Sequence, residues 1–150
     1  GSAMIDHLVK DLQRDEDIRL FVYDDATGQP IVSGYTVVGH PTIGVGRLLT
    51  SDRGISTVEA LELLETDLDI VFKELDRSFP WWRGLSENRQ RALANMAFNL
   101  GIPRLSKFQN MLAALKRGDY QLAADEAMNS RWAKQVGARA ERIRDLIKEG

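Results

Sequence analysis

Three oxygen-bearing side chains in the first third of the chain, Glu16, Asp25 and Thr42, are suited to acid–base chemistry. Glu16 follows an amphipathic segment, Asp25 follows a β-prone segment after eight intervening residues, and Thr42 lies beyond a stretch rich in glycine and proline. A carboxylic acid opposite an ionised carboxylate and a hydroxyl is the equipment for cleaving a glycosidic bond with water. The alternative interpretation is that these acids are merely solvated, since seven acidic residues occur among the first twenty-five.

The composition limits the other kinds of chemistry. The 150 residues, of which 43% are hydrophobic and 28% charged, are enough for one ordinary globular domain. Cysteine is absent, which excludes thiol nucleophiles, disulfides and thiolate metal sites, and with His7 and His40 as the only histidines a multi-histidine metal site is almost excluded. We therefore expect no metal and no cofactor. A net charge of −2 without a polybasic run argues against nucleic acid as a partner.

The distribution of apolar residues predicts no membrane segment in this piece. No stretch approaches the ~20 apolar residues that span a bilayer, and the N-terminus does not resemble a secretion signal. We expect a protein that is cytoplasmic as made and that could act at the cell wall or belong to a longer membrane-anchored protein. Residues 1–4 are interpreted as a cloning remnant, and residues 5–150 as a single domain.

The elements that must position the three candidate residues form an α+β pattern. An apolar stripe from Met4 to Leu12 predicts a one-sided helix that ends near Asp15. β-prone residues punctuated by glycine and proline, from Leu20 to Gly46, predict a small antiparallel sheet of three strands. These elements would form a sheet lobe over about residues 16–55.

The rest of the chain predicts helices. Ser56 and Glu59 form a capping box that begins a linking helix over about residues 56–77. Beyond Trp81-Trp82, interpreted as a hydrophobic lid, a segment from Ser86 to Leu100 is apolar nearly all round, which predicts a central buried helix. Residues from about 80 to 150, together with the N-terminal helix, would form a helical lobe. Shorter helices are expected over about residues 106–116, 119–128 and 138–148.

Two runs around the candidate residues, from Asp15 to Asp25 and from Pro41 to Thr50, resemble the active-site half of the phage-type lysozymes, glycoside hydrolase family 24. The resemblance covers Ile5 to Arg142 in the family's order. It implies the phage-lysozyme fold and a muramidase that hydrolyses the linkage between N-acetylmuramic acid and N-acetylglucosamine in peptidoglycan. The later runs that are similar to the family's helices are Leu85–Gly101, Lys107–Leu112, Ser130–Trp132 and the pair Arg139 and Arg142.

The resemblance also implies a role for each candidate residue. Glu16 would be the general acid, and Asp25 and Thr42 would place the attacking water and stabilise positive charge at the sugar. The plainer alternatives remain open: Asp25 could support the turn at Thr27-Gly28, and Thr42 could be an ordinary strand residue.

Three further residues are implied to bind substrate. Arg139 would pair with the general acid across a cleft between the lobes, and Leu48 and Phe98 would line the sugar groove. The alternatives are a solvated helix residue for Arg139 and core positions for Leu48 and Phe98. His40 is interpreted as an exposed residue without a role.

The sequence departs from the common family pattern around the cleft. Sixteen residues separate Asp25 from Thr42, more than the family usually has, and we predict that an extended hairpin over Gln29–Val38 accommodates them. Asp17 stands where glycine is usual, and Arg47 stands where histidine is frequent. Two sugar-facing positions that are small and polar in phage enzymes align with Met111 and Glu126.

These departures favour a second hypothesis, a lysozyme fold with weakened or lost catalysis reused for protein interaction or localisation. The chain is similar in this respect to the muramidase-like domain of a bacterial polar-development protein. The docking surface would be the uncharged Gln29–Val38 hairpin, with a bacterial protein as the partner. A third hypothesis is a sugar-binding domain without hydrolysis.

Overall fold

The computed structural model describes residues 2–150, which contain mostly helices and one small sheet. It divides into two compact units, one up to Leu61, here called the sheet unit, and one from Glu62 to Gly150, called the helical unit. The α+β class is thereby confirmed. The elements are α1 (Ser2–Glu16), β1 (Arg19–Asp24), β2 (Pro41–Gly44), β3 (Arg47–Leu48), α2 (Thr57–Ser78), a 3₁₀ helix (Pro80–Gly84), α3 (Glu87–Leu100), α4 (Ile102–Leu105), α5 (Gln109–Arg117), α6 (Tyr120–Met128), α7 (Arg131–Val136) and α8 (Ala138–Glu149).

The sheet is antiparallel in the order β1-β2-β3, with β2 at its centre. The predicted number of strands is confirmed. The first β-prone run, Leu20–Tyr23, lies in β1, whereas the runs Ile31–Val32 and Tyr35–Val38 are not strands. The extended Gln29–Val38 hairpin is wrong: residues 25–40 form an irregular loop whose only ladder contact is a bridge between Tyr23 and Pro30. The physical reason is that the amides of Val38 and Gly39 donate to the side chain of Asp24 instead of to a neighbouring strand.

Local signals at the helix ends were reliable. The capping box is present, because the Ser56 amide donates to Glu59 Oε1 at 3.0 Å and the Glu59 amide donates to Ser56 Oγ at 3.1 Å. Ser86 caps α3, and Gly101 ends it. At the other end of the chain, Ser2–Met4 form the first turn of α1, whereas Gly1 lies outside the described residues.

The hydrophobic core lies in the helical unit, where α3 supplies six buried residues, as its apolar pattern predicted. The lid interpretation of the tryptophan pair is correct: Trp82 is 1% exposed, its Nε1 donates to Asp76 at 2.7 Å, and Trp81 packs against the core. Within residues 2–150, no helix has the length and apolar character required to cross a membrane.

Candidate active site

Glu16 is the last residue of α1, and its exposed side chain lies against the turn between β2 and β3. A Cβ atom placed on Gly46 would lie 3.4 Å from Glu16 Oε2, and the φ angle of Gly46 is +70°. Both observations favour glycine at this position, since other residues adopt positive φ at a cost. The glycine run after Thr42 therefore leaves room for the Glu16 carboxylate.

The chain turns after α1 through Asp17, whose φ angle of 57° is the only positive value among the non-glycine residues described. The left-handed region is unfavourable for most side chains, but aspartate tolerates it because it can form local hydrogen bonds. Asp17 thus adopts the left-handed backbone conformation that suits glycine, the residue that is usual at this position in the family.

Asp25 follows β1 and is held by His40 across the loop. The His40 amide donates to Asp25 Oδ1 at 2.7 Å, and His40 Nδ1 lies 3.3 Å from Asp25 Oδ2. The Asp25 side chain is 35% exposed, so part of the carboxylate faces solvent. Gly39 is required for this approach, because a Cβ there would overlap the Asp25 carboxylate and lie 2.7 Å from the Cβ of Ala26.

Thr42 lies in the central strand β2 and is 2% exposed. Its Oγ1 donates to the carbonyl oxygen of His40 at 3.0 Å, and the same oxygen accepts the amide of Asp25 at 3.1 Å. Asp25 and Thr42 therefore both form hydrogen bonds with His40, although sixteen residues separate them in the sequence. With its only proton donated to the carbonyl, the Thr42 hydroxyl is left with acceptor capacity toward any further ligand.

The neighbouring acid, Asp24, has a different environment. Its side chain is fully buried and accepts hydrogen bonds from the amides of Ala26, Val38 and Gly39 and from the hydroxyl of Tyr35. Burial raises the pKa of Asp24, but the four hydrogen-bond donors together lower it by a larger amount. The pKa therefore falls to about 2. Asp24 is thus an ionised anchor for the loop, a role that sequence reasoning missed.

Arg47, which replaces the frequent histidine, joins the sheet to the start of α2. Its Nη1 lies 2.7 Å from Glu59 Oε2, and its hydrogen bond, followed by those of Ser56, lowers the pKa of Glu59 to about 2. Leu48, the adjacent residue of β3, is half-buried opposite Thr42. Leu48 therefore lies beside Thr42, one of the three candidate catalytic residues.

The helical unit contains a groove of about 460 Å³ that brings Phe98 and Arg139 together. Phe98 is 44% exposed, so the core interpretation of this residue is wrong. Arg139 Nε donates to Asn95 Oδ1 at 2.9 Å, and a second contact reaches the Asn95 carbonyl at 3.4 Å. The groove's further lining residues are Leu64, Leu68, Phe72, Trp82, Arg83, Glu87, Gln90, Arg91 and Ala94.

Met111 and Glu126 line a second cavity of the helical unit, of about 440 Å³. Met111 is buried at 1% exposure, and the nearby Trp132 donates from Nε1 to Asn99 Oδ1 at 2.8 Å. Arg104, Lys107 and Arg131 also line this cavity, so that it holds three basic side chains and one acid. Among residues 2–150 there is no group of three or more acidic or histidine side chains arranged to hold a metal ion.

Comparisons with known proteins agree with the resemblance. The family description "Phage lysozyme" matches residues 15–148. The chain is 34% identical to the pre-baseplate central spike protein Gp5 of Enterobacteria phage T4, over 93% of this chain and 27% of that protein, so it spans about a quarter of this relative's length. It is 26% identical to the probable T4-type lysozyme 2 of Dictyostelium discoideum, over 98% of this chain and 96% of the relative. The chain is also 25% identical to the probable T4-type lysozyme 1 of the same organism, over 95% of this chain and 94% of the relative.

Proposed function

Because this chain belongs to the phage lysozyme family, and its domain is that of a lysozyme-type glycoside hydrolase, we propose that Glu16, Asp25 and Thr42 carry its muramidase reaction. The substrate is the linkage between N-acetylmuramic acid and N-acetylglucosamine in peptidoglycan, which places the site of action at the bacterial cell wall. The single observation that supports these roles best is the convergence of Asp25 and Thr42 on His40.

Glu16 acts as the general acid in this proposal. It donates its proton to the glycosidic oxygen as the bond to the anomeric carbon breaks, so that the leaving sugar departs as an alcohol. Its position at the end of α1, over the glycine of the β2–β3 turn, leaves the carboxyl group exposed to a substrate.

Asp25 and Thr42 orient the attacking water. Thr42 Oγ1 donates to the His40 carbonyl, and an ionised carboxylate has no proton to give, so both groups can only accept from the water. A water that directs its two protons to Thr42 and Asp25 aims a lone pair at the anomeric carbon. Asp25 takes the proton as the new bond forms, and the configuration at that carbon inverts. For this mechanism the carboxyl groups of Glu16 and Asp25 should be roughly 6.5–9.5 Å apart.

Leu48, Phe98 and Arg139 are proposed to bind the sugar chain. The exposed ring of Phe98 offers an apolar face to the C–H groups of a sugar. Arg139 is fixed by Asn95 and keeps further N–H groups for hydroxyl or carboxylate oxygens of the substrate.

Digestion of purified peptidoglycan tests the proposed reaction. We expect soluble fragments with new reducing ends on N-acetylmuramic acid, released first as the α-anomer, because a single displacement inverts the β-linkage. Borohydride reduction followed by mass spectrometry identifies the reducing sugar, and proton NMR during the first minutes identifies the anomer. New ends on N-acetylglucosamine, or 1,6-anhydro ends, would contradict a muramidase hydrolysis.

The loop of residues 29–38 supports a second candidate function, docking of a bacterial protein. Val32 and Val38 are 66% and 73% exposed, and the segment between Asp25 and Arg47 contains no lysine, arginine, aspartate or glutamate. Exposed aliphatic side chains on a segment without charged residues are typical of an interaction surface.

Replacing Val32 and Val38 together by serine tests docking. Shortening the loop would be a poor test, because the Val38 amide also binds Asp24. The serine variant keeps the backbone, so we expect unchanged peptidoglycan hydrolysis and a loss of localisation of a fluorescent fusion in bacterial cells. Ser33→Ala, in the same exposed loop, serves as the control. Unchanged localisation of the double variant would reject the docking candidate.

A further inference from the structure

We propose that His40 is a positioning residue for hydrolysis, holding Asp25 in the orientation in which it accepts the proton of the attacking water. This inference rests on the proposed role of Asp25. The sixteen-residue segment that carries His40 is longer than usual for the family, so the resemblance assigns this residue no role.

Three contacts of His40 involve its backbone. Its amide donates to Asp25 Oδ1 at 2.7 Å, and its carbonyl accepts from the Asp25 amide and from Thr42 Oγ1. Any residue except proline could make these contacts at position 40. They fix the position of Asp25 relative to Thr42, but they restrain only one of the two carboxylate oxygens.

The imidazole supplies the restraint that is specific to histidine. An ionised carboxylate only accepts hydrogen bonds, so the ring nitrogen facing it, Nδ1, is the donor in the tautomer that carries its proton there. Nδ1 lies 3.3 Å from Asp25 Oδ2. The torsion that rotates an aspartate carboxylate is intrinsically broad. In that tautomer the same residue places a donor on each oxygen, which restrains the plane of the Asp25 carboxylate and the direction of its remaining lone pairs.

The charge of the ring adds a pH dependence to this arrangement. His40 is 60% exposed at its side chain and can take up a second proton from solvent. The acidic groups near it are Asp25 and Asp52; the pKa of Asp52 is lowered first by the hydroxyl of Thr50 and least by the charge of His40. A protonated ring forms an ion pair with Asp25, which makes that carboxylate a weaker acceptor for the proton of water. Proton transfer should therefore be slower when the ring is protonated than when it is neutral.

Two substitutions of His40 separate positioning from structure. We expect His40→Ala to lower kcat about tenfold with KM unchanged, less than the ~100-fold that a 1 Å misplacement can cost. His40→Asn should rescue kcat, because its side-chain amide can donate from nearly the place of Nδ1, and should remove any change of kcat with pH that comes from protonation of the ring. His7→Ala, at the other histidine of the chain, should change neither kcat nor its dependence on pH.

An NMR titration tests the same contact without depending on activity. In the wild type, the Asp25 carboxyl carbon should shift as the imidazole titrates, and in His40→Asn this shift should vanish. In Asp52→Asn, the shift of the Asp25 carboxyl carbon should be the same as in the wild type. The proposal is overturned if the Asp25 shift persists in His40→Asn, if His40→Ala keeps kcat within twofold of the wild type, or if His40→Asn is as slow as His40→Ala. A wild type that shows the coupling but does not hydrolyse peptidoglycan refutes the proposed function, and with it any catalytic role of His40.

Discussion

We expect the replacement of Glu16 by glutamine to lower the rate of peptidoglycan hydrolysis by about 10²- to 10⁴-fold, the usual contribution of a positioned general acid. The amide is nearly the same size as the carboxyl group but cannot donate a proton to the glycosidic oxygen. The rate is measured as turbidity clearance of purified peptidoglycan, with soluble reducing ends as the second readout.

The fold should be unaffected by this change. Glu16 is exposed and lies between Asp15 and Asp17 at the C-terminal end of α1, where the helix dipole disfavours negative charge. The Tm of Glu16→Gln should therefore equal or slightly exceed that of the wild type. Asp15→Asn removes a neighbouring acid and should leave the rate unchanged. A large loss of Tm in Glu16→Gln would identify a structural residue, and an unchanged rate would remove Glu16 from the mechanism.

Replacing Asp24 by asparagine is expected to cause the largest loss of stability among the substitutions considered. Oδ1 accepts the amides of Ala26 and Gly39, while Oδ2 accepts the amide of Val38 and the hydroxyl of Tyr35. In either orientation, the side-chain amide of asparagine turns a donor toward at least one backbone amide. That amide is left without an acceptor, which is costly in a buried site.

The loss should depend on pH. Because the pKa of Asp24 is about 2 in the folded protein and near 3.9 in an unfolded chain, ionised Asp24 stabilises the fold fully above the unfolded value. This stabilisation disappears as pH falls toward 2. The Tm difference between the wild type and Asp24→Asn should accordingly be large at pH 7 and shrink between pH 5 and 2.

Two neighbouring variants serve as controls for Asp24. Tyr35→Phe removes one donor and should cost about 0.5–1.5 kcal/mol, the usual net value of a hydrogen bond. Asp25→Asn should abolish most of the hydrolysis while changing the Tm little, because its carboxylate is partly exposed. A Tm difference for Asp24→Asn that is small, or that does not change with pH, would contradict the anchoring role.

The sequence was sufficient for features determined by near neighbours. Ser56 and Glu59 are three residues apart, so their reciprocal hydrogen bonds could be predicted without any tertiary information. The same holds for the apolar pattern that buries α3. The placement of Glu16 at the end of α1 follows from the stripe of that helix, whereas its proposed role came from the family resemblance.

The loop of residues 25–40 could not be predicted, because contacts between distant residues determine it. Its valines favour strands, but the buried carboxylate of Asp24 takes the amides that a hairpin would have used. The family spacing singles out Asp25 as the candidate, but nothing in the sequence shows that Asp24 is buried and Asp25 partly exposed, since only the folded chain creates that difference. His40 is exposed, as predicted, and its contact with Asp25 could not be predicted for the same reason, because the two residues are fifteen positions apart.

The location of the core has a consequence for how the molecule comes apart. All buried hydrophobic residues lie from Leu75 to Ile147, whereas within residues 2–61 the fully buried side chains are the polar Asp24 and Thr42. Segments with few buried apolar contacts open locally at a lower free energy than the global unfolding of the protein. Amide hydrogens of β1, β2 and β3 should therefore exchange with solvent well before those of α3. Inactivation and denaturation are then separate events, and a preparation with an intact helical circular dichroism spectrum can already have lost its site.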